Sequence, residues 1–218
     1  QENWIDTYNE GFRRLKNLRT NNESYKEFNM IYQQCYCKNN NTYNFDYLFK
    51  YTKDYLGDYT FGVLEGSVSS FNYSTGNYDD NGYLAFNYPN ELLNVLDKNI
   101  DFVTIGNNHI LDRGKQGLIE TIDNLNKTSL DYSGAFLSEK ENEKVKIINV
   151  ENLNIAVLTY NYGLNNDEEC KSYTYNKFIE KEIKADIENA KNKNVDFIFV
   201  MSHLGTQFSH NEDYSQQY

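Results

Sequence analysis

The stretch from Asp101 to Gly114, DFVTIGNNHILDRG, constrains the fold of this chain more than any other segment. It begins with the apolar and β-branched run from Phe102 to Ile105, which is typical of a buried strand. Gly106 ends that run, and apolar side chains at helical spacing follow Gly114. A buried strand that passes through a turn into an amphipathic helix is the repeating unit of α/β proteins, so the sequence predicts that class.

The turn within this stretch carries three polar residues, Asn107, Asn108 and His109. Open α/β sheets place their chemistry at the carboxyl ends of buried strands, where these side chains are predicted to lie. Asn residues also tolerate left-handed backbone and cap helices, so the same turn could serve a structural purpose. These residues by themselves leave both interpretations open.

Apolar periodicity predicts the remaining elements and places them in one domain. Helices are predicted at residues 4–18, 45–56, 92–99 and 179–190, and strands at 59–64, 145–150, 155–160 and 197–201. The second and third of these strands are predicted to form a hairpin. Two polar stretches, residues 66–90 and 161–175, are predicted to be loops.

Charge and cysteine content narrow the range of partners. The chain has 32 acidic and 21 basic residues and a net charge of −11, which argues against nucleic acid or an anionic membrane as the main partner. Cys35 and Cys37 form a Cys-x-Cys pair without a second pair, which is not the spacing of a structural zinc site. No run is long and apolar enough to span a bilayer, so membrane attachment is expected only through an anchor outside this chain.

Polar side chains that can bind a metal follow three of the predicted strands: Glu65, Asn108 with His109, and His203. Carboxylate, amide and imidazole together make a mixed oxygen and nitrogen ligand set, suited to Mn, Zn or Fe rather than to Ca or Mg. A His that is not a ligand can act beside such a metal as a general acid. We therefore expect Glu65, Asn108 and His203 to converge, although Glu65 is also compatible with an exposed carboxylate at a strand exit.

Several motifs resemble those of a known family, the CapA-type capsule synthesis proteins of the calcineurin-like metallophosphatase superfamily. The motifs are YTFGVLE at 59–65, FNYP at 86–89, NNHILDRG at 107–114 and SHLG at 202–205. The resemblance covers residues 32–217 and implies a four-layer α-β-β-α sandwich, here partial, with its C-terminal part expected to be missing. It implies a single domain over residues 1–218, in which residues 1–31 form a divergent N-terminal helix and loop.

The resemblance also implies a role for each candidate residue. Glu65 would bridge two metals, Asn108 and His203 would each be ligands, and His109 would protonate the leaving oxygen. Asp112 would orient His109 from outside the ligand shell. The resemblance further implies that Asn87, Gly62 and Asn107 line the cleft and bind substrate.

Two departures from the family pattern predict a degenerate site. The family has a Gly-Asp on its first strand, and the corresponding position near Glu23 and Ser24 lacks it. The family also has a late His-x-His, which is absent from the sequence up to Tyr218. At least two ligand positions are therefore expected to be missing, so a divalent metal is expected to bind weakly or not at all.

Three functional hypotheses follow. The first is a metal-dependent hydrolase by ancestry, acting on phosphoester or amide bonds and weakly active or inactive. The second is a non-catalytic domain that binds a capsule polymer or a cell-surface component through its Tyr- and Asn-rich loops. The third is an ordinary α/β binding domain whose motifs are coincidental. The resemblance implies an extracellular, cell-surface location, with a signal or anchor upstream of Gln1.

Overall fold

A computed structural model describes residues 43–72, 74–78, 84–142 and 144–205. The chain divides into two compact units, Gln1–Lys53 with Gly205–Tyr218, and Asp54–Leu204. All candidate site residues belong to the second unit. The helix predicted at residues 4–18 and the Cys35–Cys37 pair lie outside the described residues. The single domain over residues 1–218 stays a prediction.

The helix predicted at residues 45–56 is wrong. Two short 3-10 helices, Asp46–Phe49 and Lys53–Tyr55, occupy this stretch. A helix of this length depends on packing of its apolar face more than on propensity. On the predicted apolar face Phe45 is buried but Leu48 is 42% exposed, so only part of that face has the burial that a longer helix would need.

Nine strands and three α-helices make up the described part of the second unit. The strands are β1 (Phe61–Val63), β2 (Ser67–Val68), β3 (Ser74–Tyr78), β4 (Leu84–Tyr88), β5 (Phe102–Thr104), β6 (Asp131–Ser133), β7 (Lys146–Val150), β8 (Leu153–Asn161) and β9 (Phe197–His203). The helices are α1 (Glu91–Leu96), α2 (Gly114–Leu125) and α3 (Glu180–Lys191). The strands form three sheets, ordered β1-β5-β6, β2-β4-β3 and β7-β8-β9. The first of these is entirely parallel.

The β1-β5-β6 and β7-β8-β9 sheets pack face to face. The Phe61 ring on β1 lies 4.5 Å from the Phe199 ring on β9 and 5.4 Å from the Phe102 ring on β5, measured between centroids. Phe102 is also packed with Ile148 and Val157 of the opposite sheet. The α/β class and the two facing sheets of the predicted sandwich are therefore confirmed.

Helices flank these sheets. On α3, the fully buried Ala190 packs with Ala156, Leu158 and Tyr160 of β8, which covers the outer face of that sheet. Helix α2 contacts β2, where the Thr121 hydroxyl accepts a hydrogen bond of 2.9 Å from the Val68 amide. These helices follow the pattern that the sequence predicts, with their apolar stripes turned inward.

The predicted hairpin is confirmed as β7 and β8, which pair antiparallel. Its turn is tighter than predicted, with Glu151 at φ 55 between Val150 and Leu153. Strand β9 then pairs parallel with β8 after the α3 crossover. The prediction of a loop over residues 66–90 is wrong, because this stretch contains β2, β3 and β4.

The strand ends that carry the candidate site are level with one another. Val63 pairs with Thr104 at the end of β1 and β5, and Asn161 pairs with His203 at the end of β8 and β9. Just beyond β5 and β6, the backbones of two loops meet at glycines. A Cβ on Gly134, which has φ +112, would lie 2.4 Å from the amide nitrogen of Gly106.

Candidate functional site

Asn107 ties the end of β1 to the turn after β5. Its side chain is fully buried, and its Nδ2 donates a hydrogen bond of 2.8 Å to the Leu64 carbonyl. Its Oδ1 accepts a hydrogen bond of 3.0 Å from the His109 amide. Both side-chain amide atoms of Asn107 are therefore hydrogen-bonded to the backbone. Because one bond is to Leu64, next to Glu65, and the other is to His109, Asn107 holds these two parts of the site together. The predicted contact of Asn107 with a substrate stays a prediction.

Glu65, Asn108 and His203 converge at this edge of the sheets. The Nε2 atom of His203 lies 2.8 Å from Oδ1 of Asn108 and 3.9 Å from Oε1 of Glu65. The ring of Tyr162 lies nearly parallel to the His203 ring, with centroids 6.0 Å apart. The structure thus brings together the three side chains that the sequence predicts to meet, and their role as metal ligands stays a prediction.

The electrostatics of this group favour a neutral imidazole at His203. Burial lowers the pKa of His203, nearby Glu65 raises it in part, and His109 lowers it further. A lowered pKa keeps the ring uncharged near neutral pH, which is the form that can bind a metal. The Glu65 side chain remains 43% exposed, so its carboxylate is open to solvent on one side.

His109 and Asp112 form a buried pair. The Nδ1 atom of His109 lies 2.6 Å from Oδ2 of Asp112, which also accepts a hydrogen bond of 2.6 Å from the Phe86 amide. The Phe86 ring packs against the His109 ring at 4.1 Å between centroids. Because a carboxylate only accepts, the Nδ1 atom carries the proton. The Nε2 atom is left facing Oε1 of Glu65 at 3.7 Å.

Asn165 joins the site from the loop after β8, and the sequence analysis missed it. Its backbone amide donates to the Asn108 carbonyl at 2.9 Å. Its Oδ1 accepts from Nδ2 of Asn108 at 3.0 Å, and its Nδ2 lies 3.3 Å from Nε2 of His109. The signal that could have found it is its position just past a fourth buried strand, whose end shares the edge at which the candidate residues lie.

Gly62 and Asn87 lie in strands beside the site. A Cβ on Gly62 would lie 3.4 Å from the side chain of Ile100. Asn87 is fully buried, and its Nδ2 donates a hydrogen bond of 2.7 Å to the Phe71 carbonyl, while its Oδ1 accepts from the Ser69 hydroxyl. Asn87 therefore holds the loop between β2 and β3 in place. The predicted contact of both residues with a substrate stays a prediction.

Comparison with known proteins identifies the lineage. The sequence matches the family described as bacterial capsule synthesis protein PGA_cap over residues 17–218. The chain belongs to this capsule synthesis family. The family is part of the calcineurin-like metallophosphatase superfamily, in agreement with the sheets described above.

Two curated relatives of this capsule synthesis family member are similar over most of its length. It is 25% identical over 178 residues to the capsule biosynthesis protein CapA of Bacillus anthracis, which covers 77% of this chain and 43% of the relative. It is 26% identical over 191 residues to the PGA biosynthesis protein CapA of Bacillus subtilis (strain 168), covering 78% of this chain and 49% of the relative. The low identity agrees with the predicted divergence, and the chain spans about half the length of these relatives.

Glu65, Asn108 and His203 are the residues of this family member that could hold one divalent ion. Ligands that each lie about 2.0–2.2 Å from a metal stand roughly 3–4 Å from one another. The distance of 3.9 Å from Nε2 of His203 to Oε1 of Glu65 lies in that range, whereas the distance of 2.8 Å from Nε2 to Oδ1 of Asn108 is that of a direct hydrogen bond. Within the described residues, no group of three or more His, Cys, Asp and Glu could hold a metal, so the fit depends on the Asn108 oxygen as third donor.

Proposed function

We propose that this protein is a capsule-associated domain of metallophosphatase fold whose site binds one divalent metal weakly. The observation that supports this proposal best is the convergence of Glu65, Asn108 and His203, with His109 beside them. One carboxylate in this set provides little negative charge, whereas a two-metal hydrolase needs ligands around both ions. We therefore infer a degenerate site with low hydrolytic activity.

The residues of the site have separable tasks in this proposal. The chemistry supplied by a bound divalent ion is Lewis-acid polarisation of a phosphoryl or carbonyl oxygen. Asp112 holds the proton on Nδ1 of His109 and stabilises the ring when it is doubly protonated. In the doubly protonated ring, Nε2 of His109 carries a proton beside Glu65 and can give it to a leaving oxygen. Phe86 packs on the ring and limits its rotation.

Metal binding is the experiment that tests this proposal. The purified protein, stripped with a chelator, is titrated with Mn²⁺ and Zn²⁺ by calorimetry. We expect Glu65→Gln and His203→Ala each to weaken binding at least tenfold, since even partners of metal ligands contribute about 10- to 100-fold. Glu139→Gln is the matched control, because Glu139 is exposed and makes no described contact with the site. Equal affinity in all four proteins would refute the proposed site.

Activity provides a second readout. We expect weak or absent phosphodiesterase turnover with added Mn²⁺, and any turnover present should be mostly lost in His109→Ala while metal affinity is kept. Robust metal-dependent turnover that persists in His109→Ala would contradict both the degenerate site and the role of His109.

A non-catalytic binding domain is the second candidate function, and exposed aromatic rings favour it. Tyr162, beside His203, is 58% exposed, and such a ring offers a flat surface to a polymer. The predicted polymer, poly-γ-glutamate, is a polyanion, while this chain carries a net charge of −11. Like charges repel, so we expect polymer binding to require divalent cations and to disappear in a chelator. Polymer binding that is unaffected by chelator would argue against a cation bridge.

We also propose that the protein acts at the cell surface, in line with the names of its curated relatives. In the part of the chain that the structure describes, no helix is long and apolar enough to cross a membrane. Fractionation of native cells with an antibody against the domain tests the location. Recovery of the native protein in the cytosolic fraction would refute it.

A further inference from the structure

Asn165 lies between two parts of the site, Asn108 with His203 on one side and His109 with Asp112 on the other. Nε2 of His203 lies 2.8 Å from Oδ1 of Asn108, and Nδ2 of Asn108 donates a hydrogen bond to Oδ1 of Asn165. Nδ2 of Asn165 lies 3.3 Å from Nε2 and 3.5 Å from Nδ1 of His109, so it sits against the imidazole ring, and Nδ1 of His109 donates to Asp112. Asp112 can only accept, so Nδ1 of His109 carries a proton. The bond between Asn108 and Asn165 has its own direction, because Nδ2 of Asn108 donates and Oδ1 of Asn165 accepts.

The orientation of the Asn108 amide depends on this hydrogen bond. Because Oδ1 of Asn165 takes the Nδ2 hydrogen of Asn108, the amide oxygen of Asn108 is turned toward His203. A reversed Asn108 amide would present its NH₂ group to His203, and an NH₂ group does not bind a cation. Asn165 cannot reverse alone either, since its NH₂ group would then face the NH₂ group of Asn108.

We propose that Asn165 is a positioning residue that fixes the Asn108 oxygen toward the metal side and holds the His109 ring. This inference rests on the proposed metal site, because it treats Asn108 as a metal donor. Asn165 lies at the solvent-exposed rim, so it reaches the site without being part of the core. It links the residue proposed to donate protons with a residue proposed to bind metal.

The loop that carries Asn165 is anchored independently of its side chain. The Asn165 amide bonds the Asn108 carbonyl at 2.9 Å, and this contact survives replacement of the side chain. Further along the loop, Oε2 of Glu169 accepts a hydrogen bond of 2.6 Å from the Lys115 amide in the first turn of α2. A variant at Asn165 is therefore expected to keep the loop in place and to change only the side-chain contacts.

Three variants of the whole protein test this role. Asn165→Ala removes both side-chain contacts, and Asn165→Asp keeps the oxygen that accepts from Asn108 while removing the donor to His109. Asn166→Ala is the matched control, since it removes the same side chain at the next position of the loop. Circular dichroism and thermal melting check that each variant folds as the parent protein does.

The first readout is ¹⁵N NMR spectroscopy of the metal-free protein, which follows the side-chain nitrogens of Asn and His. We expect the side-chain amide resonance of Asn108 to show loss of its hydrogen bond in Asn165→Ala, to keep the signature of a hydrogen-bonded amide in Asn165→Asp, and to stay unchanged in Asn166→Ala. The Nε2 resonance of His109 should move in both Asn165 variants, because both remove the side-chain NH₂ group that lies against the ring. An unmoved Asn108 amide in Asn165→Ala would overturn the inference, whatever the metal result.

The second readout is Mn²⁺ affinity by calorimetry. We expect a loss of about 10-fold or more in Asn165→Ala, the scale found for partners of metal ligands. Asn165→Asp should bind at least as tightly as the parent protein. If the parent protein binds no Mn²⁺, the proposed metal site fails, and the NMR readout still decides the role of Asn165. If it binds and Asn165→Ala binds equally well, the positioning role is refuted.

Discussion

The buried pair of Tyr160 and Asp186 provides a sharp test of the packing between β8 and α3. The Tyr160 hydroxyl donates a hydrogen bond of 3.0 Å to Oδ2 of Asp186, and the two residues are 1% and 8% exposed. Tyr160→Phe removes this donor and leaves a buried carboxylate without it. Loss of a partner to a buried charged group costs about 1–3 kcal/mol, so we expect the free energy of unfolding at pH 7 to fall by that amount.

The effect should depend on pH. Burial raises the pKa of Asp186, while the Tyr160 hydrogen bond and nearby Lys144 lower it in part. A raised folded pKa means that the group stabilises the fold below its unfolded pKa, and this contribution is lost as pH rises through the folded pKa. Tyr160→Phe removes one of the lowering partners, so its cost should be larger at pH 7 than near pH 4.

Urea unfolding followed by circular dichroism measures both effects. Tyr55→Phe is the matched control, because the same hydroxyl is removed from a ring that is 87% exposed. Asp186→Asn removes the buried charge, so adding Tyr160→Phe to it should cost less than in the parent protein. A change below about 0.5 kcal/mol in Tyr160→Phe, equal at both pH values, would refute the reasoning, since surface substitutions lie within that range.

Two further predictions concern the loops around the site. Gly134→Ala should destabilise the protein by about 1–3 kcal/mol or more in thermal unfolding, because its backbone is left-handed and a Cβ would meet the Gly106 nitrogen at 2.4 Å. Unchanged stability in this variant would contradict the described close approach. Glu169→Gln should cost about 0.3–1 kcal/mol at low salt, because the carboxylate meets the Lys115 amide at the start of α2. The same loss in 1 M salt would show that charge is not its cause.

The sequence predicts those strands and helices whose own residues show a local apolar or β-branched pattern. Strand β5 is apolar and β-branched, and both its existence and its place in a buried sheet follow from that. Strands β2 and β3 are short and rich in Ser, Asn and Gly, so they lack an alternating apolar pattern, and the five residues of β4 stand alone within the polar stretch that is predicted as a loop. Their pairing depends on partners distant in sequence, such as Ser67 with Asn87. Residues 45–56 show the converse, a helical pattern that the structure does not follow.

The site could be predicted in part for the same reason. Glu65, Asn108 and His203 each follow a recognisable strand, and level strand ends bring them together. Asn165 lies beyond β8 in a polar loop, and its role comes from hydrogen bonds to Asn108 and His109 that no local pattern encodes. Fully buried Asn87 could not be distinguished from an exposed Asn, because burial of an amide depends on the backbone groups that satisfy it.

The connectivity of the strands has a consequence for the order of folding. Strands β7 and β8 are joined by a tight turn and can pair within microseconds. The parallel pairs β1–β5 and β5–β6 must wait until long intervening segments close, which slows their formation. Glu65, His109 and His203 lie at or just past the ends of strands with distant partners, so we expect the edge that carries the candidate site to assemble last. Pulsed hydrogen exchange during refolding should show β8 amides protected first, and simultaneous protection of β1 and β8 would contradict this order.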